Sequence, residues 1–313
     1  MCATALAASD KIAGDSAIFS RQAMNTQKWA RLALSFEVIP PRNPDDRSKM
    51  DHVVETLTAY NPDYIAVTSS LRSRWLEGTS ALVKHLTEHS RVRPLAHLAC
   101  TAGTEAEIRD GVQELIDAGV RGFLALRGDL PEGLDRLPEG YLQHATDLVA
   151  SIRELESEQA CRFAGGNLAV GVACYPAGHA ESENWEEDIR ILKLKQDTGA
   201  DFAITQMYFD VEQFARMLTD ARAAGVTIPL IPGIMPVTSL ARAEKMAQLS
   251  GFELPSHIRA ALEAAGPENE YEVGMELTAQ LAAQSLAAGA GGLHIYTHNH
   301  VDVTVDLLDR ITT

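Results

Sequence analysis

From residue 32 onward, short apolar runs alternate with longer stretches in which apolar residues return every three or four positions. The runs are LALSFEV (32–38), YIAVTS (64–69), PLAHLAC (94–100), GFLALRG (122–128), LAVGVACY (168–175), DFAITQMY (201–208), IPLIPGI (228–234) and GLHIYT (292–297). They lack strict apolar–polar alternation, as expected of parallel strands covered on both faces. The stretches between them read as amphipathic helices. In GTEAEIRDGVQELIDAGV, Ile108, Val112, Leu115 and Ile116 fall at i, i+4, i+7 and i+8, and Gly119 is placed to end the helix. DDRSKMDHVVETLTAYNPD repeats the design with Met50, Val53, Leu57 and Tyr60. Residues 250–270 are additional material between the seventh run and a helix near 270–288.

Eight such units predict an α/β fold of the (β/α)8 TIM-barrel class. A doubly wound sheet is the alternative, but it would more usually show a G-x-G-x-x-G turn after its first strand, where this chain has SFEVIPPRN. Barrels of this kind often run about 250 residues, so the 313-residue chain is divided into a flexible N-terminal extension, 1–28, and a single catalytic barrel, 29–313. The apolar part of the extension is short, lacks a basic lead, and is interrupted by Asp10, Lys11 and Asp15, so it does not read as a secretory signal.

The net charge is −16, and no Lys/Arg block occurs. A surface that acidic repels phosphate backbones and anionic membranes, which argues against nucleic acid as a partner. No apolar run approaches the roughly 18–20 residues needed to span a bilayer. Cys2, Cys100, Cys161 and Cys174 lie too far apart for the usual zinc spacings, and two of them sit in apolar runs. The expectation is buried thiols in a reducing cytoplasm and no metal site.

The active site of a barrel lies at the C-terminal ends of its strands. Glu37, Thr68, His97, Asp129, Tyr175, Gln206 and Asn299 all fall there or one step beyond. Singly, a histidine can be a satisfied core residue, and a strand-end aspartate can cap the next helix. Seven together predict a shared pocket. The corner Arg127-Gly128-Asp129 is then a strand end facing a ligand rather than an adhesion tripeptide on a surface loop.

The motifs SFEVIPPR, VTSS, HLAC, ALRGD, ACYPAGHAES, LKLKQDTGADFAITQMYFD, IPGIMP and HIYTHN resemble, in order, the landmarks of the methylenetetrahydrofolate reductase family, from about residue 33 to 300. The resemblance implies a bacterial, single-domain barrel that reduces the methylene group of 5,10-methylenetetrahydrofolate to a methyl group. The electrons come from NADH or NADPH, with NADH favoured, and self-association is left open. It places the catalytic glutamate at Glu37, Asp129 beside the pterin and the electron donor, and Gln206 on the pterin. Arg242, Asn299 and His300 join the folate side, although His300 stands where the family often has Arg. Thr68, His97, Arg127, Gly128, Asp129, Ala145, Tyr175, His179, Asp188 and Lys195 match positions used for FAD, and Gln206 belongs to the cofactor side as well.

Hydride can add to the one-carbon unit only after a ring nitrogen is protonated and the ring opens to an iminium cation. A carboxylic acid serves as that acid near neutrality if its pKa is raised. Glu37, between Phe36 and Val38 and before a double proline, is expected to be raised by apolar burial.

The flavin positions depart from the family. Ile191 stands where Asn is usual and Leu194 where Arg is usual, and Ser69 and Leu71 also differ. At about 100° per residue, Trp185, Ile189 and Leu192 form the core face of this helix, with Ile191 and Leu194 opposite, alongside Asp188 and Lys195. Replacing a phosphate-binding cation by Leu costs on the order of several kcal/mol. The expectation is therefore direct hydride transfer from nicotinamide to folate without FAD. The ordinary FAD-dependent reaction and a non-redox, methyltransferase-like pterin-binding barrel are the alternatives.

Overall fold

The computed structural model describes residues 33–41, 46–69, 75–130 and 133–312. The extension assigned to 1–28 and position 71 lie outside them. The strands are β1 (Ala33–Val38), β2 (Tyr64–Val67), β3 (Pro94–Ala99), β4 (Gly122–Leu126), β5 (Ala169–Cys174), β6 (Phe202–Thr205), β7 (Leu230–Ile231), β8 (Gly233–Ile234) and β9 (Gly292–Tyr296). The α-helices are α1 (Arg47–Thr58), α2 (Trp75–His89), α3 (Glu105–Asp117), α4 (Ala145–Glu158), α5 (Trp185–Thr198), α6 (Val211–Ala223), α7 (Leu240–Leu249), α8 (Ser256–Ala265), α9 (Glu270–Ala287) and α10 (Val301–Thr312).

The strands pair in parallel in the order β7-β6-β5-β4-β3-β2-β1-β9-β8. The predicted seventh strand is present but broken at Pro232. Its first half pairs with β6 through Ile204↔Ile231 and its second with β9 through Gly233↔His294. Proline has no N–H to extend a ladder, which explains the interruption. The Gly233 N–H turns to Thr205 Oγ1 at 2.9 Å, and the Pro232 carbonyl still accepts the His294 N–H at 3.0 Å. The break thus hands the strand from one neighbour to the other and closes the ring of eight.

Alternation along each strand divides the core in two. Tyr64, Ala66, Leu95, Leu124, Phe202, Ile204 and Ile231 fill the barrel interior. Their neighbours Ile65, Val67, Ala96, Phe123, Val170 and Ala203 join the larger layer beneath the helices. Gly171 makes room for the interior layer, since a Cβ there would lie 2.5 Å from the Phe202 ring.

Helix α1 buries Met50, Val53, Val54 and Leu57, and α3 buries Ile108, Val112, Leu115 and Ile116, the predicted faces except that Tyr60 lies beyond the end of α1 and is only partly buried. Thr104 caps α3 through a reciprocal box with Glu107. Gly119 follows the helix at φ +99°, where a glycine is favoured. The additional segment contains α8. Leu254, Ile258 and Leu262 form a second apolar cluster with Met207, Phe209, Met235 and Val237 over the ends of β6 and β8. Cys100 and Cys174 are buried free thiols and Cys161 is exposed. Among the described residues, no helix is long and apolar enough to cross a membrane, and no cluster of metal-ligating side chains occurs.

Candidate active site

A cleft of about 850 Å³ opens at the C-terminal ends of the strands. Glu37, Thr68, His97, Arg127, Gly128, Asp129, Ala145, Tyr175, His179 and Gln206 line it, so ten of the predicted residues are gathered in one place. Ser69, Asp188, Ile191, Leu194 and Lys195 line it too.

Glu37 is brought inward because it is two residues beyond Ser35 on the same face of β1. Its Oε2 lies 3.6 Å from His97 Nε2 and 3.7 Å from His294 Nε2. His294 is fully buried, and its Nδ1 lies 2.8 Å from Ser35 Oγ. The rings of Tyr64 and Tyr296 flank it, and the Tyr296 hydroxyl donates to the Thr205 carbonyl at 2.7 Å.

This setting corrects the expected direction for Glu37. Burial does raise its pKa, but the nearby imidazoles of His294, His97 and His298 together hold it below the usual carboxylate range. Two flanking residues on a strand say nothing of imidazoles arriving from β3 and β9. Burial pushes His97 down to about 4, so its ring is neutral at neutral pH.

Gly128 turns the corner after β4 at φ +80°, and a Cβ there would lie 2.3 Å from Thr101 Oγ1. Asp129 is thereby left exposed at the lip of the cleft. Arg127 forms a two-pronged ion pair with Glu181, with Nη2 donating to Oε1 at 2.7 Å. Glu181 sits on the loop after β5, where its N–H donates to His179 Nδ1 at 3.2 Å. Asp188 holds that loop by accepting from the His179 N–H at 3.1 Å and Ser182 Oγ at 2.8 Å. His179 packs edge-on against Tyr175 at 4.5 Å between ring centroids. Burial pushes the Tyr175 phenol up to about 12 and lowers the His179 imidazole. Just after β6, the Gln206 Oε1 accepts the Met207 N–H at 3.0 Å.

Helix α5 departs in one respect from its predicted faces. Lys195 is buried with Ile189 and Leu192, its Nζ donating to the Ala173 carbonyl at 2.8 Å. It follows Leu192 by three residues, and its long stem packs along the core while the ammonium finds a carbonyl. Leu194 is 47% exposed and Ile191 half-buried, both on the cleft wall.

Arg242, Asn299 and His300 lie outside this lining. The Asn299 amide is used on both sides by Ile39, accepting its N–H at 2.9 Å and donating to its carbonyl at 2.8 Å. Sequence reasoning missed His294, Tyr296 and Glu181. The first two were open to a period-two reading of GLHIYT, which puts them on one face; a loop acid such as Glu181 carries no comparable signal.

The sequence profile described as methylenetetrahydrofolate reductase matches residues 21–312. The 5,10-methylenetetrahydrofolate reductase of Salmonella typhimurium (strain LT2) is 30% identical over 291 residues, covering 91% of this chain and 93% of its own. That of Escherichia coli (strain K12) is 28% identical over 289 residues, covering 91% and 93%. A protein of Arabidopsis thaliana named methylenetetrahydrofolate reductase (NADH) 1 is 29% identical, with 85% of this chain and 46% of its own covered. Among solved structures, an uncharacterized protein from Clostridium thermocellum that binds two copies of 5-methyl-5,6,7,8-tetrahydrofolic acid superposes with a TM-score of 0.59 at 13% identity. It covers 90% of this chain and 96% of its own, a likeness of fold alone. With a family match across nearly the whole barrel and the family's motifs gathered at one cleft, the chain belongs to the methylenetetrahydrofolate reductase family.

Proposed function

We propose that this protein reduces 5,10-methylenetetrahydrofolate to 5-methyltetrahydrofolate by direct hydride transfer from NADH, without a flavin intermediary. The arrangement of Glu37, His97 and His294 at the cleft floor supports the proton chemistry. Glu37 protonates a nitrogen of the five-membered ring, and the ring opens to an iminium. The hydride then leaves the nicotinamide with its electron pair and adds to the iminium carbon, giving the methyl group and the oxidised nicotinamide. In the open cleft Glu37 is held in its charged form. A bound pterin displaces water from the carboxylate and raises its proton affinity, in the direction a general acid needs. Glu37, whose side chain is partly exposed to the cleft, regains its proton from water between turnovers, while the buried His294, its other nitrogen 2.8 Å from Ser35 Oγ, positions the carboxylate. Asp129 faces the developing cation from the lip, and Gln206 offers its amide to the pterin.

The observation that carries the flavin-free part is the wall formed by α5. A flavin diphosphate laid along it meets Ile191 and Leu194. Arg127 and Lys195 are already bonded to Glu181 and Ala173, and Arg190 to Glu187. These residues do not fit that group. A nicotinamide dinucleotide can use instead the N-terminal turn of α4, whose Ala145 and Thr146 also line the cleft. A cleft bordered by Asp129, Glu187 and Asp188 also disfavours the extra phosphate of NADPH.

The test is to purify the protein, record its visible spectrum, and follow nicotinamide absorbance with methylenetetrahydrofolate. A colourless protein that oxidises NADH, and gains nothing from added FAD, is expected. Stoichiometric bound FAD, or activity lost when flavin is stripped, overturns the flavin-free reading.

A further inference from the structure

In the parallel ladder of β1 and β9, Ser35 is registered with His294 and Glu37 with Tyr296. Residues two apart on a strand share a face, so these four side chains form a square directed into the barrel. Ser35 and His294 lie one layer deeper than the Glu37–Tyr296 pair; Ser35 is 2% exposed and His294 not at all. The imidazole is held in orientation by Tyr64, stacked at 6.1 Å between ring centroids, and by Tyr296, edge-on at 5.2 Å. Gly233, registered with His294 on β8, makes room for that packing, since a Cβ there would lie 2.5 Å from the Tyr296 ring.

With the ring held, its remaining freedom is which nitrogen carries the proton. The Ser35 hydroxyl has two acceptors in reach, His294 Nδ1 at 2.8 Å and the Leu293 carbonyl at 3.3 Å. Donation to Nδ1, the shorter contact, leaves the proton of the neutral imidazole on Nε2. Nε2 is buried with no hydrogen-bond partner among the described residues, and Glu37 Oε2 stands just beyond bonding distance at 3.7 Å. An N–H in that place attracts the carboxylate, whereas the lone pair of the other tautomer repels it. The other groups around Glu37 leave this choice to Ser35. His97 approaches from β3 and His298 from the turn after β9. The phenols of Tyr64 and Tyr296, both raised by burial, are neutral near pH 7.

We propose that Ser35 is a positioning residue whose hydroxyl fixes the tautomer of His294, so that Nε2–H faces Glu37 and stabilises the charge left when Glu37 gives up its proton. The inference rests on the reductase reading of the cleft and deepens it by naming the residue that sets the strength of the acid. The proton passes from Glu37 to the substrate nitrogen; Ser35 and His294 neither gain nor lose one. Desolvation by the pterin weakens the acid, and the buried donor offsets part of that effect.

Nitrogen NMR of the full-length protein carrying 15N-labelled histidine reads the tautomer directly, because a protonated ring nitrogen and a bare one resonate far apart. The chain has 10 histidines, and the signals of His294 are those missing from His294→Gln. At neutral pH the wild type should show His294 protonated at Nε2 and bare at Nδ1. Ser35→Ala removes the donor and should move a measurable share of the proton to Nδ1. In the same variant, the pH at which turnover falls on the alkaline side should rise by about one, a tenfold gain in the proton affinity of Glu37. His294→Gln supplies an amide N–H that needs no partner at Ser35, so adding Ser35→Ala to it should move the profile no further. A wild-type His294 protonated at Nδ1, a Ser35→Ala variant that leaves either tautomer or pH profile unchanged, or the same displacement in the His294→Gln background would each overturn the proposal. The expected tautomers in a protein that never oxidises NADH would sink the reductase reading and leave the Ser35–His294 pairing standing; normal turnover with His294 protonated at Nδ1 would do the reverse.

Discussion

Glu37 shows how far a single residue's neighbours decide its chemistry. Its carboxylate meets two imidazoles within 3.7 Å, from strands nearly 60 and 260 residues away in sequence. Glu37→Gln keeps the shape but holds no transferable proton. It should lower turnover by about 10²–10⁴-fold while tetrahydrofolate binding is largely retained. Near-normal steady-state turnover would remove Glu37 from the mechanism. His97 carries a stability consequence of its own. Its folded pKa, about 4, lies below the ordinary imidazole value of 6.5. Between those two pH values the unfolded chain binds a proton that the folded chain refuses, so stability falls as pH drops through this window. The depressed Glu37 acts in the same sense at the acid end. Urea midpoints at pH 7 and 4.5 should differ by an amount equivalent to on the order of 2–3 kcal/mol more in the wild type than in His97→Gln. Parallel pH profiles for the two proteins would show that His97 is not the group responsible.

At the scale of the element, α5 shows one helix serving two purposes. Ile189, Leu192 and Lys195 anchor it, and Ile191 and Leu194 present hydrocarbon to the cleft. The double substitution Ile191→Asn with Leu194→Arg leaves the anchoring residues intact and puts an amide and a guanidinium on that wall. Each charge-assisted bond to a phosphate is worth about 1.5–3 kcal/mol, so the variant should gain FAD affinity roughly tenfold or more. Flavin fluorescence quenching measures this directly, and an unchanged affinity would mean that the wall of α5 does not set flavin binding.

At the scale of the whole molecule, the cleft is a single chamber whose floor belongs to β1, β3 and β9 and whose walls belong to the β4 and β5 loops and α5. On the proposed direct transfer, with no flavin to store the hydride, both substrates must occupy that chamber together. Initial-rate plots of NADH oxidation at several folate concentrations should therefore intersect, as for a sequential mechanism. Parallel lines would point to a relay in which the nicotinamide product leaves before folate enters.

Local pattern was enough for the strand–helix alternation, the buried faces of α1 and α3, and the ring of polar residues at the strand ends. Each of these depends on spacing of 2 or 3.6 residues, which a sequence displays directly. The hydrocarbon at 191 and 194 was legible for the same reason. Where those side chains' partners come from was not. Pro232 breaks the seventh strand without opening the barrel only because β6 and β9 stand on either side to take up its halves. The downward shift of Glu37 and the Glu181 partner of Arg127 were likewise settled by closure of the sheet. Closure places residues far apart in sequence within a few ångströms, where burial and charge act on them together.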